Sequence, residues 1–267
     1  METPTLLILV YWTLIGAAVG SFLNMAADRL LKDESLLFPA SHCDACQHPL
    51  APLDLVPVVS YLALRGRCRY CGAPIGRRSL LVEAGTALLF ALAAATFIPR
   101  TAGELLTLML VSLLLSLLVL VTVTDLEHGL ILDRVTWPGM AVAGIYALTR
   151  GWPALGEHLA GGLIGALFIW LILKLVPGGM GEGDLKLTAL IGLSCGLKGL
   201  GLALFLGFVS GGIVAAALLC TGRKQRGDTL PLGPFLALGG AISLLYTPAL
   251  LRLFDWLSWA LWYQMVH

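Results

Sequence analysis

Charge is what this 267-residue chain has least of: Lys, Arg, Asp and Glu together make up 12%, about half the share of an ordinary soluble domain. A net charge of +1 offers no basic field for nucleic acid and no acidic one for a cationic partner. Six cysteines are too few for a secreted disulfide scaffold. No low-complexity tract or repeat is evident, and no strand–Gly-loop–helix pattern of a nucleotide-binding fold is visible. What fills the chain is apolar: 58% of residues are hydrophobic and the mean hydropathy is +0.89. That excess rules out disorder and exceeds what a soluble core of this size takes in. The fold class that follows is an all-α polytopic membrane protein.

Apolar runs near the roughly 20 residues that a spanning helix needs predict about eight transmembrane helices. They lie at Leu6–Met25, Leu80–Ile98, Leu105–Thr124, Val135–Leu148, His158–Val176, Leu185–Leu197, Leu200–Cys220 and Leu230–Leu250. The first reads as a span rather than a signal peptide, because Met-Glu-Thr-Pro has no basic lead and no small-residue cleavage site follows. After Leu251, the tail with Phe254, Trp256, Trp259, Trp262 and Tyr263 reads as an interfacial helix. Of the 17 Lys and Arg, one set of alternate loops holds only Arg100, Arg150, Lys198 and Arg252. The other set, including the one long loop Ala26–Ser79, is therefore cytoplasmic, and both termini face outward. The organisation expected is a first transmembrane helix over 1–25, a cytoplasmic loop over 26–79, membrane helices over 80–250 and the tail over 251–267.

The long loop carries Cys43-Asp-Ala-Cys46 and, after 21 further residues, Cys68-Arg-Tyr-Cys71. Two C-x-x-C knuckles at this spacing point to a closed four-thiolate zinc site with a structural role. Two disulfides or unrelated thiols are the competing reading, which a reducing cytosol disfavours. His42 and His48 flank the first knuckle and read as solvated, since four thiolates complete the shell. Cys195 and Cys220 read as small buried hydrophobes.

Carboxylates at the edge of apolar runs are costly and are candidates for chemistry. Asp125 closes one run, and Asp184 ends Gly-Met-Gly-Glu-Gly-Asp and opens another, both at the predicted cytoplasmic edge. An Asp at a helix start is often only a cap, and one at a helix end can simply reach water. Four glycines within 178–183 allow close approach of an extended peptide. Two carboxylates at one depth beside such a loop have the parts of an aspartic protease, in which the pair shares a proton. Asp33, Glu34, Asp44, Asp54, Glu127 and Glu182 read either as a solvated face or as an attraction for a basic peptide.

G-M-G-E-G-D (179–184) resembles the G-x-G-D signature of membrane aspartyl proteases, with Gly181, Gly183 and Asp184 in place. With G-S-F-L-N (20–24), the two knuckles, V-P-V-V-S-Y-L-A-L-R-G-R-C (56–68) and P-L-G-P-F-L-A-L-G-G (231–240), the chain resembles the bacterial type IV prepilin peptidases over nearly its whole length. The resemblance implies a multi-pass protein of the bacterial inner membrane that cleaves the basic leader of prepilins or pseudopilins after a Gly. It further implies N-methylation of the new N-terminal residue, usually Phe, with S-adenosylmethionine, in type IV pilus or type II secretion systems. Asp125 and Asp184 match the catalytic pair, and Cys43, Cys46, Cys68 and Cys71 the metal ligands. Gly66 matches a glycine of the methylation-associated segment, which makes it the candidate cofactor-binding residue, and Gly20, Ser21 and Asn24 belong to the G-S-F-L-N motif associated with the same activity. Leu132 stands where the family usually has a proline, and Thr124 where it has an apolar residue. Asp133 is a rival for Asp125, which is preferred because it directly follows a spanning helix. Helix dipoles favour charge at the start of a helix and disfavour it at the end, so Asp184 is expected to act as base and Asp125 as its protonated partner. A peptidase without methylation, a proton-coupled transporter and a membrane anchor for a zinc module are the alternatives. A second copy of the chain stays open as a partner, and nucleic acid is not expected.

Overall fold

The computed structural model describes residues 3–176, 180–225 and 229–266, with side chains from 5 to 250 except at 248. The glycine loop at 178–179, Arg226 and the tail's aromatic side chains lie outside the described residues. Among the described residues the regular structure is helical. It comprises α1 (Thr3–Leu31), a 3₁₀ turn (Pro52–Leu55), a short α2 (Val59–Ala63), α3 (Arg77–Thr96), α4 (Ala102–His128), α5 (Asp133–Thr149), α6 (Trp152–Leu175), α7 (Glu182–Cys220) and α8 (Gly233–Val266). Five of these, α1, α3, α4, α6 and α7, are long and apolar enough to cross a membrane. Contacts divide the chain into two units, Met1–Leu130 and Ile131–His267.

Each of the eight predicted spans falls largely within a helix, but only five described helices have the length and apolarity to cross a membrane. α5, at 17 residues, and the apolar part of α8 at Gly233–Thr247 are shorter than the roughly 20 residues a span needs. The boundaries move for physical reasons. α1 runs past Met25 to Leu31, because Ala26, Ala27 and Arg29 are buried against the protein rather than released into a loop. α8 continues through Val266 without a break. α4 starts on a capping box, with Thr101 Oγ1 accepting from Glu104 N–H (3.3 Å) and Glu104 Oε2 accepting from Thr101 N–H (3.1 Å). It stops at Gly129, whose left-handed backbone (φ 64°) donates to the Asp125 carbonyl (2.9 Å).

α7 holds the sixth and seventh predicted spans in one element. Its 39 residues would reach about 58 Å if straight, near twice a ~30 Å hydrocarbon core. It is not straight: Gly196 has φ 72° and ψ 177°, a conformation that costs a side-chain-bearing residue dearly. A straight helix would hold Thr188 and Leu200 about 18 Å apart, yet both border the space beside Gly165 of α6. The chain therefore doubles back at Gly196 into two antiparallel legs. His158 of α6 donates from Nδ1 to the Leu193 carbonyl just ahead of the reversal (2.8 Å), serving an acceptor at a helix end.

Lipid gives helices no hydrophobic reason to associate, so close backbone approach takes its place. A Cβ on Gly161 would lie 2.5 Å from the Gly192 carbonyl oxygen, and one on Gly192 would meet that of Gly161. In the first unit, a Cβ on Gly20 of α1 would lie 2.7 Å from Glu83 Cα of α3. Trp12 adds one polar link, donating to Ser112 Oγ of α4 (2.8 Å). Cys220 is exposed rather than buried, and Cys195 is half-buried and donates weakly to the Gly240 carbonyl (3.6 Å). Gly192→Leu is expected to separate α6 from α7 at a cost of at least about 1–3 kcal/mol, the usual range for overpacking. Gly212→Leu, where a Cβ meets open space, should leave the melting temperature in detergent unchanged.

Candidate active site and metal centre

The four predicted cysteines come together: the Sγ atoms of Cys43, Cys46, Cys68 and Cys71 all lie within 4.8 Å of one another. Cys43 and Cys71 are 3.9 Å apart. A tetrahedral zinc with Zn–S of about 2.3 Å sets sulfur–sulfur edges near ~3.8 Å, so the donor set fits such an ion. The backbone reveals a near-repeat that the amino-acid identities conceal. In the first knuckle Cys43 N–H donates to His48 O (3.0 Å), Gln47 N–H to Cys43 O (2.7 Å) and Leu50 N–H to Ser41 O (2.9 Å). In the second, Cys68 N–H donates to Ala73 O (2.8 Å), Gly72 N–H to Cys68 O (3.0 Å) and Ile75 N–H to Gly66 O (2.7 Å). Gln47 and Gly72 both take positive φ, at 58° and 72°.

The two halves are tied together by side chains. Tyr70 stacks on His48 at 3.7 Å between ring centroids. Asp54 accepts from Arg69 Nε (2.6 Å), Tyr70 OH (3.0 Å) and Ala51 N–H (3.2 Å). It is committed to this contact and not to a solvated face. The Arg69 hydrogen bond, foremost, holds the Asp54 carboxyl below its ordinary value. Its contribution to stability is therefore whole above the unfolded value of about 3.9 and fades as pH falls through the lower folded value. Backbone N–H groups of Cys46 and Ala45 bring the Cys43 thiol down to about 7. The Ala73 N–H draws Cys71 down as well, but desolvation and the three other thiols carry it up to about 12. Only part of the set ionises unaided near neutrality, so binding a divalent cation must expel protons.

Asp125 is buried in the last turn of α4 (6% exposed). Nearby, Arg78 at the start of α3 grips Asp28 of α1 with both Nη atoms (2.8 and 2.5 Å) and Glu127 of α4 with Nη1 (2.6 Å). Glu127, like Asp54, is thus held by an arginine. Asp184 is buried in the first turn of α7 (8% exposed), where its Oδ2 accepts from Gly181 N–H (3.1 Å). Gly181, not Asp184, is the N-cap of α7; Asp184 stands at the third helical position and its carboxylate closes the contact back to the N-cap backbone, so the simple cap reading does not hold. Gly183 makes room for the chain itself: a Cβ there would lie 2.7 Å from Ile131 Cβ. Asp133 is exposed and paired with Lys186 (2.5 Å), which pins the start of α5 to that of α7.

These features match known proteins. A model of the bacterial peptidase A24 N-terminal domain matches residues 14–97, and one of the type IV leader peptidase family matches 112–216. A prepilin leader peptidase/N-methyltransferase of Aeromonas hydrophila is 34% identical over 90% of this chain and 91% of its own. Proteins of the same name from Bacillus subtilis (34%, covering 90% and 95%) and Pseudomonas putida (36%, covering 88% and 89%) are similar to it. The chain belongs to the type IV leader peptidase family. No solved structure matches it.

In this chain the second matched region holds both aspartates, and the first holds the knuckles and G-S-F-L-N. The glycines and Asn24 have structural duties here. Gly20 lies in the α1–α3 contact, and Asn24 Nδ2 donates to the Ser79 carbonyl (3.2 Å). Ser21 is half-buried on the same helix. Gly66 has φ 67°, donates to Tyr61 O (2.8 Å) and leaves the Tyr61 hydroxyl 2.9 Å from where a Cβ would sit. Sequence reasoning missed Arg78 and Glu83. Glu83 is a buried carboxylate on α3 that accepts from Val58 N–H (2.6 Å), a residue at φ 62°. A charged residue within an apolar run was the signal available. Asp54→Ala is expected to release bound metal to a chelator several-fold faster than the unaltered chain at pH 7. Gly183→Ala should lower activity by displacing Asp184, and Ile131→Ala in the same chain should restore part of it.

Proposed function

We propose that the chain removes the leader of type IV prepilins or pseudopilins at the cytosolic face of the bacterial inner membrane, and then methylates the new N-terminus. The observation that carries this reading is the likeness, over about 90% of the chain, to proteins named for both activities, with two buried carboxylates at helix ends where the resemblance puts the catalytic pair. Asp184 takes a proton from water as the water attacks the scissile carbonyl, and Asp125 donates one to the carbonyl oxygen. Breakdown of the tetrahedral intermediate returns a proton to the leaving amine. Asp184 lies at a helix start and Asp125 at a helix end, which suits the base and acid roles in that order.

Cys43, Cys46, Cys68 and Cys71 hold zinc as a closed structural shell, which stabilises a loop too small for a core of its own. S-adenosylmethionine supplies a methyl group on a sulfonium. Asn24 is suited to hold that cofactor: its Oδ1 is buried with no partner among the described residues, a free acceptor for an ammonium or a ribose hydroxyl. The test is mass spectrometry of a prepilin incubated with the purified chain and S-adenosylmethionine. Leader loss plus the mass of one methyl group is expected, with cleavage reduced by roughly 10²-fold or more in both Asp125→Asn and Asp184→Asn. Leader loss alone would leave a peptidase. Wild-type cleavage by either variant would overturn the aspartate pair.

A further inference from the structure

The chain reverses as it leaves α1. Glu34 N–H and Lys32 N–H both donate to the Arg29 carbonyl (2.9 and 3.2 Å), with Asp33 at φ 57° between them. This is a Schellman-type ending that turns the backbone back along the helix. Arg29, itself 7% exposed, then staples the returning segment: Nη1 donates to Ser35 O (2.9 Å) and Nη2 to Pro39 O (2.5 Å). Ser35 Oγ accepts from the backbone N–H of Leu37 (3.2 Å) and Phe38 (3.4 Å). The result is a tight loop with Leu37 and Phe38 at its apex, 79% and 76% exposed. Two large apolar side chains are held out by a buried arginine and a serine, so the exposure is built in.

The level of the loop follows from α1. Its apolar span of 27 residues rises about 40 Å, some ~10 Å beyond the hydrocarbon core, and the charged Asp28 and Arg29 near its C-terminal end favour the headgroup layer as the level of its last turns. Because Arg29 ties Ser35 and Pro39 to that turn, the tip opens at the same depth. We propose that the Leu37–Phe38 tip is an interfacial anchor whose partner is the lipid of the bilayer that α1 crosses. Lipid is favoured over a protein partner by continuity. On α1 itself Tyr11, Leu14 and Phe22 are 65%, 62% and 48% exposed, an apolar face of the kind that meets lipid, and the tip extends that face by one loop. Leu and Phe are side chains that enter the headgroup–acyl boundary readily. The four-cysteine module begins directly after the loop and rejoins the membrane at α3, so the tip adds a third attachment that holds the module close to the bilayer. This inference stands independently of the reaction the chain performs.

The test places a benzophenone-bearing phenylalanine at position 38 of the full chain, reconstituted in nanodiscs of bacterial polar lipid and irradiated. Phospholipid adducts are expected by intact-mass measurement, at a yield comparable to that from the same side chain at position 14. Arg29→Gln should lower the yield at 38 several-fold and leave that at 14 unchanged. Absence of lipid adducts at 38 while 14 labels would overturn the anchor. So would adducts formed only with a second copy of the chain, or only with a prepilin reconstituted alongside.

Discussion

Helices in a lipid bilayer cannot gain by hiding apolar side chains from a medium that is itself apolar. What remains is close van der Waals approach and a few well-placed polar contacts. The glycines answer to that constraint. Gly161 and Gly192 let α6 and α7 meet backbone to backbone, and Gly20 does so between α1 and α3. Gly183, in the loop that resembles a protease signature, is filled by Ile131 of the same chain. In this chain that glycine is a packing glycine.

The same constraint governs charge. Among the described residues, the buried Arg29, Glu83 and Asp184 each have a hydrogen-bond partner, and Asp125 lies at a helix end. Arg78 joins α1, α3 and α4 through Asp28 and Glu127. Lys186 and Asp133 join the starts of α7 and α5. Asp125 and Asp184 belong to different units, and each lies in a terminal turn of its own helix. A carboxylate at a helix end keeps contact with the interface while its helix stays in lipid, which makes such ends the affordable place for acid–base chemistry in a membrane.

The four-cysteine loop obeys a different rule. It has almost no apolar core, and its order comes from two matching backbone turns, the Asp54 contacts and the clustered thiols. The two turns share their hydrogen-bond pattern although only the cysteines and the prolines Pro49 and Pro74 coincide in sequence. A backbone pattern of that kind is invisible to a comparison of side chains, which explains why no repeat could be read.

Composition and periodicity alone determined the all-helical membrane class, the apolar segments and the spacing of the four loop cysteines, because hydropathy and C-x-x-C turns are local properties. The motifs determined the family. Tertiary structure decided what depends on a partner distant in the chain. The reversal at Gly196 rests on α6, and Asp54 and Glu127 became structural because Arg69 and Arg78 reach them. Residues 35–39 fold back because Arg29 reaches over α1's end. Each of these is a choice between water and another part of the chain: Arg78 and Glu127 lie 49 residues apart, and even where Arg29 and Ser35 are only 6 apart, the local pattern does not say that the guanidinium turns back over the helix end.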